Sequence, residues 1–122
     1  MGFFEPDDFE GRPYDGGNNQ ALHVVFGQAL VAIFSTWFLP WVAMLIAGGG
    51  VILWELDQLR RRGATRKDYL ADLFYWLLGL ASWTHLLDMG WVTGPAVYGP
   101  LLILAAWSME FARLSWADLF PK

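Results

Sequence analysis

From Ala21 to Trp54 the chain carries no Asp, Glu, Lys or Arg, a run of about 34 residues. One membrane crossing needs roughly 20 apolar residues, so a single tilted helix would be too long. Pro40 sits near the middle of the run, in TWFLPWV, between Trp37 and Trp41. Proline pushes the residue before it out of helical geometry, and Trp favours the membrane–water interface. The run therefore divides into two helices, over 20–38 and 41–59, joined by a tight turn at Pro40. One long helix kinked at Pro40 is the alternative.

The rest of the chain fits the same environment. Hydrophobic residues make up 56% of the 122 and charged residues 16%, against about 25% charged in a soluble domain. The mean hydropathy is +0.34. A third span is expected over 68–87 and a fourth over 100–113. The turn between them, DMGWVTGPAVYGP, offers Trp91 and Tyr98 as interface anchors. Glu110 is expected at the end of the fourth span, and LSWADLFPK as an interfacial amphipathic turn. The expected fold class is all-α, an integral membrane four-helix bundle. Residues 20–122 form its single membrane domain. Residues 1–19 form an irregular or interfacial N-terminal arm, with Phe3, Phe4 and Phe9 able to dip into the interface.

Four spans make a statement about charge that is checked at once. They put the N-terminus, the loop between spans 2 and 3 and the C-terminus on one side. Every basic residue falls there: Arg12, Arg60, Arg61, Arg62, Arg66, Lys67, Arg113 and Lys122. The opposite side holds only Asp88 as a charge. The positive-inside rule then places both termini and the RRRGATRK loop in the cytoplasm of a multi-pass cell-membrane protein. A three-span chain would separate Arg12 from the basic loop.

Composition also excludes. The absence of cysteine rules out disulfides, thiolate metal sites and a Cys nucleophile. Basic residues are few and sit beside an apolar segment, so no nucleic-acid partner is expected. The net charge of -4 says little about partners, since much of the acid lies in the first fifteen residues. The opening MGFFEP lacks a basic n-region, so no secretory signal is expected. Pro6 also stands where a myristoylation pattern wants Ser or Thr.

The polar residues converge at one level. His23 lies in the first turn of span 1, Glu55, Asp57 and Gln58 in the last turns of span 2, and Asp68 and Asp72 in the first turns of span 3. Glu55 and Gln58 are three apart and share a helix face. Asp68, Asp72, Trp76 and Gly79 line one face of span 3, where Gly79 lets a neighbouring helix come close. His23 and Gly27 repeat that pairing on span 1. Asp57 is turned about 200 degrees from Glu55 and points away. The ligand-binding candidates are His23, Glu55, Gln58, Arg66, Asp68 and Asp72. Ionisable residues inside membrane segments are functional candidates. Against that stand plainer roles: Asp68 as a helix cap, Asp72 or Glu55 as a partner for a loop base, the arginines as topology anchors. His85 and Asp88, on the opposite side, suggest no site.

The order His, then Glu-x-x-Gln, a basic turn, and Asp-x-x-x-Asp leading to Gly resembles the VanZ-like family and the similar YfiM-like small membrane proteins. His23, Glu55, Gln58, Arg66, Asp68, Asp72 and Gly79 carry the resemblance, over about residues 20–82. Where that family commonly has Asn or Asp, four residues after the second Asp, this chain has Trp76. The resemblance implies a four-helix membrane bundle in the cell envelope and names no secure reaction, cofactor or catalytic residue.

Three functions are consistent with these residues. A carboxylate and histidine cluster suits Mg²⁺ or another hard cation, with nearby Arg or Lys for a phosphorylated envelope lipid. No Walker loop or HExxH pair speaks for catalysis, so whether the chain is an enzyme stays open. The second function is that of an accessory or structural subunit among other membrane subunits. The third is an oligomeric pore such as a phage holin, with Ala47–Gly50 (AGGG) as a packing stripe. The stripe equally serves packing within one chain.

Overall fold

A computed structural model describes residues 9–88 and 94–119, with the backbone alone for 94–98 and 117–119. Four helices follow in order, α1 (Pro13–Phe34), α2 (Pro40–Arg61), α3 (Arg66–Asp88) and α4 (Gly94–Leu119). There is no strand among the described residues.

Proline opens the first two helices. Pro13 and Pro40 stand at their starts, where the missing N–H costs nothing. Leu39, at φ -58 and ψ 147, has the extended backbone that a following proline imposes. The turn expected at Pro40 therefore occupies residues 35–39, and Pro40 itself is helical. At the end of α2 the Gln58 carbonyl accepts from the Arg62 and Ala64 N–H groups, at 3.1 and 3.2 Å. Gly63, at φ +76, reverses the chain there in a conformation that favours glycine. Thr65 then caps α3, its Oγ1 accepting from the Asp68 N–H at 3.1 Å.

The helices run up and down in sequence, which makes α1 and α3 parallel. These two form the centre. α2 lies against both on one side and α4 against both on the other, and among the described residues α2 does not touch α4. Two apolar clusters fill the seams. Val31, Ala47, Val51, Trp76 and Leu80 lie among α1, α2 and α3. Val24, Tyr75 and Ala106 lie among α1, α3 and α4. α1 and α3 approach closely, backbone to backbone, at Gly27 and Gly79. A Cβ on Gly27 would sit 2.7 Å from the Trp76 carbonyl oxygen, and one on Gly79 would meet the Val24 carbonyl.

Three expected boundaries are corrected. The N-terminal arm is helical from Pro13 onward. Its small and polar residues pack on α4, with Gly16 against Leu114 and Gly17 against the Trp107 indole, while Asn18 accepts from Trp107 Nε1 at 2.9 Å. The fourth helix runs well beyond 100–113 at both ends. Pro100 lies inside it, and Leu114 in the presumed tail is buried. Glu110 is thus held within a helix rather than at its end. Phe3, Phe4 and Trp91, and the side chain of Tyr98, lie outside the described residues.

Many large apolar side chains are exposed, and several polar ones are buried beside the apolar clusters. Leu53 is 69% exposed, Trp37 71% and Leu45 60%, whereas Glu55 and Glu110 are each 1% exposed. Among the described residues one helix, α2, is long and apolar enough to cross a membrane by length and composition.

Candidate functional site

Three helices each deliver one ligand-bearing side chain to the same place. His23 comes from α1, Glu55 from α2 and Asp72 from α3, and one ligand atom from each lies within 4.8 Å of the others. All three are buried, at 3, 1 and 5% exposure. The Gly27–Gly79 crossing lies one turn beyond His23 and about two beyond Asp72. It draws α1 against α3 and sets this spacing.

The histidine is oriented by its own helix. His23 Nδ1 lies 2.7 Å from the Asn19 carbonyl oxygen. A carbonyl only accepts, so Nδ1 carries the proton. In the neutral ring Nε2 then presents a lone pair, 3.9 Å from Glu55 Oε1 and 3.9 Å from Asp72 Oδ1. These gaps are too long for hydrogen bonds. They match the separation left by ligands at about 2.0–2.5 Å from a shared cation.

Each ligand also has an outer partner. Gln20 Nε2 donates to Asp72 Oδ1 at 2.6 Å. Trp76 Nε1 donates to Glu55 Oε1 at 3.0 Å, and its ring meets His23 edge-on with centroids 5.2 Å apart. Such contacts fix ligand orientation in metal sites. Among the described residues, Glu55 Oε2 is buried without a hydrogen-bond partner, as is Gln20 Oε1. A buried carboxylate oxygen left without a partner is costly and calls for an explanation.

The six candidates separate. His23, Glu55 and Asp72 meet. Gln58 and Asp68, both buried, follow on the same faces one turn nearer the basic loop. Asp68 is not the cap of α3, since Thr65 supplies it. Arg66 is exposed at the first residue of α3, pointing to no role in the triad. Asp57 pairs with Arg61 and Arg62, at 3.4 and 3.5 Å, on the outside of α2. Glu110 belongs to a second cluster. It accepts from Tyr75 Oη at 3.3 Å, and Arg113 Nε donates to it at 3.0 Å.

Asn19, Gln20 and Trp76 were not among the candidates. Gln20 had a readable signal, being three residues before His23 and so on its face. Trp76 shares the Asp68–Asp72 stripe, and its indole supplies a donor to Glu55. No family model, curated protein or solved structure matches this chain.

Proposed function

We propose that this chain is a multi-pass membrane protein that holds a divalent cation between His23, Glu55 and Asp72. The observation that carries the cation site is the convergence of three buried ligand atoms from three helices, beside a Glu55 oxygen that has no hydrogen-bond partner among the described residues. One imidazole nitrogen among carboxylate oxygens suits Zn²⁺ or Mn²⁺ better than Mg²⁺. Three protein ligands leave a position for water or a phosphate oxygen.

The many exposed large apolar side chains support the membrane setting, as does the placing of every described Lys and Arg at one end. Helices of 22 or more residues are about 33 Å or longer, enough for a hydrocarbon core of roughly 30 Å. The VanZ-like resemblance points to the same kind of bundle. The N-terminus, the basic loop and the C-terminus face the cytoplasm on this reading.

Calorimetric titration tests the site. Protein in mild detergent, stripped with EDTA, is titrated with ZnCl₂ or MnCl₂. One ion should bind per chain, with loss of binding in Glu55→Gln and Asp72→Asn and retention in Asp57→Asn. Equal binding in all four proteins would refute the assignment.

A further inference from the structure

An apolar groove of about 420 Å³ runs along the outside of the bundle beside the cation site. Leu30 and Phe34 of α1 form one wall, Ala47, Gly50 and Trp54 of α2 the other, and the Trp76 ring lies between them. Along α2 the lining spans residues 46 to 54, about 12 Å of helix. That is close to the depth of one leaflet, half of a roughly 30 Å core. The volume falls in the usual range for a bound small molecule.

The groove has a charged end. Trp54 closes it towards the loop, and the Arg62 guanidinium lies 5.3 Å from the centre of that ring. Arg60 and Arg61 are exposed beside it. Asp57 takes up part of this charge through Arg61 and Arg62, but Arg66 and Lys67 lie just across the loop, so the end stays cationic. An apolar slot one leaflet deep, ending in arginines, matches one kind of occupant by shape and charge.

From this we infer that the groove seats one acyl chain of an anionic phospholipid, with its phosphate at the Arg60–Arg62 end. The inference rests on the membrane reading and is independent of the cation. Gly50 is the opening of the slot. A Cβ placed there meets nothing within 4 Å, so the backbone at Gly50 has room for a side chain, and Gly50→Leu puts one at the opening of the groove.

The test uses the full chain in phosphatidylcholine vesicles containing EDTA. They are doped with phosphatidic acid carrying a diazirine in mid-chain, or with the matching phosphatidylcholine probe. Flotation of the same vesicles reports insertion. After irradiation, peptide mapping should place the phosphatidic acid label on Leu30, Phe34 and Val51 in preference to outward Leu45, Leu53 and Phe74. Gly50→Leu displaces on the order of two methylenes of chain, so groove labelling should fall roughly tenfold. Arg62→Gln should remove the preference for phosphatidic acid. A protein that floats yet labels evenly, or labels equally with both probes, overturns the groove assignment. So does a Gly50→Leu protein whose labelling is unchanged but whose oligomeric mass shifts, because the groove is then a helix-docking surface. Failure to float overturns the membrane reading along with it.

Discussion

The Trp76 indole N–H donates to Glu55 Oε1 at 3.0 Å, tying α3 to α2 across the inside of the bundle. The same ring lies edge-on to His23 and forms part of the outer groove. One side chain thus separates a buried polar site from an apolar slot on the surface. Among the described residues Glu55 has a single hydrogen-bonded oxygen, and its other oxygen has no hydrogen-bond partner.

Replacing Trp76 with Phe keeps a ring and removes the donor. Both Glu55 oxygens then lack a hydrogen bond, at a cost of about 1–3 kcal/mol. Loss of an outer partner typically weakens metal binding by about 10–100-fold. Thermal unfolding and Zn²⁺ titration in detergent check both effects. A variant with unchanged affinity would remove Trp76 from the site.

Gly79→Ala should destabilise the fold by about 1–3 kcal/mol, because the added methyl meets the Val24 backbone rather than a movable side chain. Gly49→Ala is the control. Nothing lies within 4 Å of a Cβ there, and Ala favours helix over Gly by up to about 1 kcal/mol. Unfolding temperatures should move in opposite directions. A matching drop in both variants would contradict the close crossing.

Arg113→Met leaves the buried Glu110 carboxylate with Tyr75 in place of its cation. Removing one partner of a buried pair costs about 3–5 kcal/mol, and less here since Arg113 is about one-third exposed. Adding Glu110→Met should restore much of the loss, and a double-mutant cycle reads the coupling. One cation should still bind per chain in both variants, in contrast to Glu55→Gln and Asp72→Asn, which separates this cluster from the ligands.

The absence of cysteine gives a clean background for topology. Thr36→Cys lies in the α1–α2 turn and Arg61→Cys at the end of α2. In intact cells an impermeant maleimide should label the first, and the second only after permeabilisation. The reverse pattern would invert the orientation, and labelling of both would exclude the four-span arrangement.

Helix number and the polar level were legible because Pro40 and the charge-free run are local signals, and because Asp68 and Asp72 share a face by spacing alone. The start of α1 was not. GGNNQ reads as a loop until α4 is known to lie against it, with Leu114 and Trp107 filling the space its glycines leave. Arg66 looked close to the acids in sequence, but the Gly63 turn and the Thr65 cap set it at the exposed first residue of α3. Trp76 stood on the right face by spacing, but periodicity does not say where an indole N–H points, so its bond to Glu55 was not legible. Glu110 looked terminal because charge alone marked the end of its span; Arg113, three residues on, shares its face by spacing, and the partner Tyr75 emerges only from packing.

X-ray absorption of the Zn²⁺-loaded protein tests the cation site most directly. The chain has two histidines, and His85 is exposed on α3. The expected shell is one imidazole nitrogen with oxygen ligands at about 2.0–2.2 Å. The imidazole signal should disappear in His23→Ala and persist in His85→Ala. An all-oxygen shell in the unaltered protein, or an imidazole signal that survives His23→Ala, would contradict the site.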